Sequence, residues 1–192
     1  IEGIKIVNEK PHILALIDVL TLTVELDVRA HYIYGRYKKL ERGIPQTRWP
    51  CRACKGRGCE KCQNTGLQYE KSVQDLIGNP LLGLLNSNEH SFHGMGREDI
   101  DVRCLGRGRP FVVEVKKPKI RTIDLEDIVE QINKEGVGKI EIDSLRSSNR
   151  SEVARIKETK AEKSYRIRFE VHGEVPEDSE TQIANLAGAI LE

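Results

Sequence analysis

No charge of one sign dominates this 192-residue chain: 31 Lys and Arg face 30 Asp and Glu, for a formal net charge of +1. Bulk attraction to nucleic acid is therefore excluded, and any anion site has to come from a local patch. Long apolar runs are missing too. Nothing approaches the roughly 20 residues of a membrane span, and no charged-then-apolar leader precedes residue 20, which favours a cytoplasmic protein over an inserted or exported one. Cysteine is not spread along the chain as in a secreted disulfide framework, since four of the five lie within residues 51 to 62. Repeats and low-complexity tracts are absent. The chain opens at IEGIKIV without an initiator Met, as a trimmed fragment does.

What remains, 38% hydrophobic and 32% charged residues, suffices for one domain core with a small appendage. VLTLTVELDVRAHYIY (residues 19–34) sets Leu22, Val24, Leu26 and Val28 against Thr21, Thr23, Glu25 and Asp27, the pattern of one long half-buried strand. GRYKKLERGIPQTRWP (residues 35–50), broken by Pro45 and Pro50, reads as a linker or exposed loop. Ser72 caps a short helix through Leu84, interrupted by Gly78 and Pro80, and residues 86–96 follow as an irregular loop. Residues 101–115 predict two strands joined by the glycine turn GRGRP. A helix starts after Thr122 or Asp124 and stops at Gly136; a strand over 139–145 and a helix over 150–157 come next. Tyr165, Ile167, Phe169 and Val171 alternate as a further strand, and Ile183, Leu186, Ala187 and Ile190 mark a last helix. The order predicts an α+β domain with a mixed or antiparallel sheet.

CRACKGRGCEKC places Cys51, Cys54, Cys59 and Cys62 in two Cys-x2-Cys pairs, and Gly56 and Gly58 allow the tight turn that brings the pairs together. A structural zinc ion fits this spacing, because four thiolates leave no open position for an activated water. Four free or redox-active thiols are the alternative. Arg52, Lys55, Arg57 and Lys61 rim the knuckle, either as phosphate contacts or as a solvated edge. Cys104 stands alone and reads as a buried apolar residue.

HGMGREDIDVRCLGRGRPFVVEV (residues 93–115) sets Glu98, Asp99, Asp101 and Glu114 among Arg97, Arg103, Arg107 and Arg109, with glycines at 94, 96, 106 and 108. An arginine can keep a neighbouring carboxylate ionised while glycines let a bulky substrate approach. Judged by residue chemistry alone, a salt-bridged turn remains the first reading.

GREDIDVRCLGRGRPF closely resembles the active-site motif of the Pus-ten family of tRNA pseudouridine synthases of archaea and eukaryotes. RGIPQTRWPCRACKGRGCEKCQNTG (residues 42–66) looks like the archaeal branch, and KSYRIRFEV (residues 163–171) is similar to the family's second active-site strand. The resemblance covers most of the chain from about residue 32. It implies a partial pseudouridine synthase catalytic domain with a small four-cysteine zinc knuckle. Asp99 would be the nucleophile, attacking ribose C1′ or uracil C6. Arg97 would enter the space left by the flipped uridine, and Tyr165 would stack on the target base and assist proton transfer from C5. Asp101 and Glu114 are expected to hold arginines in place. The implied substrate is the T loop of tRNA, at position 54, 55 or both, with no catalytic cofactor.

Arg36, Tyr37, Lys38, Lys39, Arg42 and Arg48 make a basic and aromatic run suited to phosphates and unstacked bases. The expected division is residues 1–47, closing an N-terminal THUMP-like RNA-binding region with its linker, and residues 48–192, the first part of the catalytic domain with the knuckle at 51–66. Family members carry later catalytic motifs that residues 172–192 do not match, so an incomplete pocket and an inactive fragment are expected. Two rival readings use the knuckle without chemistry: a zinc-containing RNA-binding module, and a zinc-ribbon scaffold for a protein partner.

Overall fold

A computed structural model describes residues 5–7, 9–168, 170 and 172–185. The alternating N-terminal run does form strand, but in separate pieces. β1 (Ile13–Asp18) and β2 (Thr23–Val28) pair antiparallel, with Ile13 opposite Val28 and Asp18 opposite Thr23. The Asp18 carboxylate closes the turn by accepting from the amides of Leu20 and Thr21 at 2.8 and 3.1 Å. This corrects the expected half-buried strand over residues 19–34: Leu22 sits in the turn with φ 54°, and Val24 and Leu26 are exposed.

β3 (His31–Lys39) begins after residues 29–30 and runs on to Lys39, with Ile33, Gly35, Tyr37 and Lys39 all buried. It is an inner strand of a sheet ordered β4-β5-β3-β6, in which β4 is Glu89–Gly94, β5 Cys104–Lys116 and β6 Ile140–Ser148. Every neighbouring pair is antiparallel. The first five residues of the expected linker are thus sheet interior, and a boundary at residue 47 does not separate packed units, because β3 bonds to strands on its far side.

Two other expectations fail because strand partners from elsewhere in the chain decide the outcome. The irregular loop over 86–96 contains β4, since His90 and Phe92 alternate inward once β5 supplies a partner. GRGRP does not turn the chain. β5 passes through it as one strand, and the register jumps from Tyr37↔Arg109 to Lys39↔Cys104, leaving residues 105–108 as a bulge. Gly108, at φ 68°, has no room for a side chain, because a Cβ there would lie 2.7 Å from the Tyr37 carbonyl oxygen.

Helices cover the sheet. α1 (Val73–Leu84) starts in a reciprocal capping box, with Ser72 Oγ accepting from the Asp75 amide and Asp75 Oδ2 from the Ser72 amide, each at 3.1 Å. It continues through Gly78 and Pro80 without the expected interruption; Gly78 lies against the His90 ring, which a Cβ would meet at 2.3 Å. α2 (Leu125–Glu135) is capped by Asp124 and ends at Gly136, as its sequence predicts. Ile128 and Ile132 of α2 join Ile33, Tyr37, Ile77, Leu81, Phe111, Val113, Ile140 and Ile142 in the core. The result is an α+β unit with an antiparallel sheet.

α3 (Arg150–Glu158) carries buried Glu152, which accepts from both terminal nitrogens of Arg146 at 2.6 and 2.8 Å and also from Ser148 and Arg155. Arg146 is the main reason that its carboxyl is held down at about 2. A carboxylate depressed on folding stabilises the native state above its unfolded value near 4.5 and loses that contribution as pH falls towards 2. Glu152→Gln is therefore expected to melt below the parent at pH 7, and the gap in melting temperature to close as pH is lowered from about 4.5 to about 2. A gap independent of pH would overturn this account.

Residues 160–192 form a second compact unit. The expected strand is not formed over 163–168: strands need partners, and none of the described residues of this unit supplies one. Phe169 and Val171 lie outside the described residues. Ile183 falls in α4 (Ser179–Ala184), whereas Leu186, Ala187 and Ile190 are also outside them.

Candidate active site and metal centre

The loop between β4 and β5, residues 95–103, carries GREDIDVR, and its neighbouring acids point in opposite directions. The Glu98 side chain is only 2% exposed, while Arg97 and Asp99 face solvent. Glu98 accepts from the Tyr37 hydroxyl at 2.7 and 2.8 Å and from Gln46 Nε2 at 3.0 Å, and its Oε2 lies 2.8 Å from Arg109 Nε. Gln46 also reaches the Tyr37 hydroxyl and the Gly96 carbonyl, and Arg109 Nη1 donates to the Met95 carbonyl at 2.6 Å. Burial, then the charge of Glu98, pushes the Tyr37 hydroxyl far up, so it stays a protonated donor.

Lys39 holds the other side of Asp99. Its fully buried ammonium donates to the carbonyls of Ile44 (2.9 Å), Asp99 (2.9 Å) and Ile100 (3.1 Å), matching three donors to three acceptors. Desolvation lowers its pKa against the raising pull of Glu98, Cys104, Asp99 and Asp101. The Gly43 amide adds a bond to Ile100 O at 3.0 Å, and Arg42 Nε one to Asp101 O at 2.9 Å.

These contacts redistribute the basic run. Tyr37 and Lys39 are buried and spent on the loop, so they are corrected from RNA contacts to internal anchors. Arg36 donates to the carbonyls of Arg107 and Gly108 beneath the bulge, Lys38 pairs with Glu141 at 2.9 Å, and Arg48 pairs with Asp75. Arg42 and Arg48 remain exposed. Glu114 holds no arginine; it accepts from the Tyr32 hydroxyl and lies against His93 Nε2, both at 3.1 Å. Tyr165 belongs to the second unit, where it is exposed. A cleft of about 540 Å³ beside the knuckle is walled by Arg48, Lys71, Asp75 and Asn79, and Asp99 is not among its lining residues.

Sequence reasoning named Glu98 only as one acid among several and missed Gln46, so the anchoring contacts of both went unread. The signal lay in their partner Tyr37, because the alternation of β3 continues inward through Tyr37 and Lys39 past the point where basic residues suggested a loop.

The knuckle closes on a bridge between Pro50 and Leu67, with Cys51 N donating to Gly66 O and Gln68 N to Trp49 O. Four Sγ atoms converge above it, all within 4.8 Å of one another, and this set could hold one metal ion. Amides of Gly58, Cys59 and Gly66 point at Cys54 and Cys62 sulfurs from 3.2 to 3.3 Å, as thiolates require.

The family described as Pus10, C-terminal, matches residues 32–191. The tRNA pseudouridine synthase Pus10 of Methanothrix thermoacetophila is 46% identical over 168 residues, 87% of this chain and 37% of the relative. That of Methanothermobacter marburgensis is 43% identical over 181 residues, 93% and 45% respectively. That of Korarchaeum cryptofilum is 38% identical over 191 residues, 98% and 51%. The chain thus spans about half or less of the length of these curated relatives.

Proposed function

The chain belongs to the Pus10 family, and on that premise we propose that it carries the nucleophile-bearing part of a tRNA pseudouridine synthase, with Asp99 as the nucleophile. The observation that carries this reading is the opposed setting of Glu98 and Asp99: one carboxylate is buried as an anchor, and the next faces solvent with its backbone fixed. A salt-bridged turn would have paired Asp99; among the described residues its carboxylate joins no ion pair. The proposed substrate is tRNA, at T-loop position 54, 55 or both. Isomerisation breaks the bond from ribose C1′ to uracil N1 and joins C1′ to C5; C5 loses its proton and N1 takes one up, so atoms balance and no net oxidation occurs. Asp99 takes up the covalent bond in between. Arg97, exposed on the same loop, fills the gap left by the extruded base, an extrusion costing roughly a few kcal/mol. Tyr165 stacks on that base.

For the four cysteines we propose structural zinc. A tetrahedral ion with Zn–S bonds of about 2.3 Å sets its sulfurs about 3.8 Å apart. Cys51–Cys59, Cys54–Cys62 and Cys59–Cys62 are separated by 4.0, 3.9 and 3.7 Å. Four such ligands fill the coordination shell, which suits a role in folding.

The test is to give the full-length protein unmodified tRNA without added cofactor and to map pseudouridine chemically. Product in the T loop is expected; tRNA bound but left unmodified would favour the RNA-binding module instead. Reversing Lys38 and Arg42 to glutamate is expected to weaken tRNA binding and to lower its salt dependence by roughly two units of slope. Unchanged affinity would remove this surface from the RNA contact.

A further inference from the structure

Asp99 is fixed from both sides by buried groups. Before it, Glu98 is the hub of a buried cluster: Tyr37 from β3, Gln46 from the following loop and Arg109 from β5 all converge on one carboxylate. Behind it, Lys39 of β3 grips the carbonyls of Asp99 and Ile100. A buried charge cluster is poor value as core. Apolar residues of similar volume would stabilise as well or better, because the desolvation of each ion opposes what the pairing returns. What such a cluster supplies is geometry, since a satisfied polar network has few alternative arrangements. The anchoring points are themselves immobile: Tyr37 and Lys39 lie on an inner strand paired on both sides, opposite Ile142 and Ile140 of β6 and Arg109 and Cys104 of β5.

We infer that Glu98 and Lys39 form a two-point clamp that positions Asp99 for attack, with Glu98 fixing the turn before it and Lys39 the carbonyls at and after it. Neither residue touches the reacting atoms; both are positioning residues. The inference rests on Asp99 as the nucleophile. It explains why an acid directly precedes the reactive one in GREDIDVR: the first acid is turned inward and used up, which leaves its neighbour pointing out. It also assigns the second lysine of YKK a role distinct from the first, since Lys38 points away to Glu141.

The clamp is tested in the full-length protein with Glu98→Gln, which keeps the shape but drops the charge facing Arg109, and Lys39→Met, which removes the three carbonyl bonds. Both are expected to bind tRNA with KM within about threefold of the parent, while kcat falls about a hundredfold, the cost of a nucleophile misplaced by about 1 Å. Combining either with Asp99→Asn should give no further loss. Parental kcat in Glu98→Gln overturns the clamp, as does a rise in KM with kcat unchanged. If Lys39→Met does not fold, Glu98→Gln still decides. Activity retained by Asp99→Asn alone would be a failure of the nucleophile reading, distinguishable because the Glu98 variant does not enter into it.

Discussion

Asp99→Asn is expected to abolish pseudouridine formation by the full-length protein, lowering kcat by roughly 10⁴-fold or more, as loss of a nucleophile acting in concert with its surroundings does. The substitution replaces one carboxylate oxygen by an amide nitrogen and changes the shape hardly at all. Asp99 is exposed, and it is its backbone carbonyl that Lys39 holds, so the loop keeps its anchors and the fold its stability to within about 0.5 kcal/mol. Binding of tRNA should persist, because the amide still fits where the carboxylate did. The measurement is chemical mapping of pseudouridine in tRNA treated with parent and variant at equal concentration, alongside tRNA affinity and melting temperature. Equal product from the two would refute the assignment. Loss of product together with a lowered melting temperature would instead make Asp99 part of the scaffold.

This prediction was half legible in the sequence. GREDIDVR marks Asp99 and Arg97 through the family motif, yet residue chemistry gives no reason to prefer Asp99 to Glu98 or Asp101. Burial sets Glu98 apart, because Tyr37, Gln46 and Arg109 reach it from three separate segments, whereas Asp99 and Asp101 are both exposed and only the family motif prefers Asp99. The same limit governs the fold. Ser72, Asp124 and Gly136 act within a few residues of where they stand, and the helix ends they mark are where the sequence puts them. β4 and the unbroken β5 depend on partners: EHSFHG is strand because β5 lies beside it, and GRGRP bulges because β3 holds both of its flanks. Lys39 misled for a related reason. A basic residue in a basic run reads as surface, whereas three convergent carbonyls make the interior tolerable for an ammonium group.

If the knuckle holds the proposed zinc ion, removing it should have an effect as large in stability as loss of Asp99 has in rate. Within residues 51–66 only Cys51, Cys54 and Gly66 are buried, so this segment has no apolar core that would hold it without an ion. Lys55, Gln63 and Asn64 all adopt positive φ, a cost in non-glycine residues that something must offset. Zinc bound by four thiolates contributes about 10–16 kcal/mol in small domains of this kind. Elemental analysis of pure protein is expected to give one zinc per chain. Chelation, or Cys54→Ser, should abolish hydrogen-exchange protection over 51–66 while the β4-β5-β3-β6 sheet keeps its own, because the sheet's core residues come from outside the knuckle. A metal content far below one per chain, or protection that survives chelation, would leave four free thiols as the better description. Loss of protection across the whole sheet would mean instead that the ion supports the entire unit.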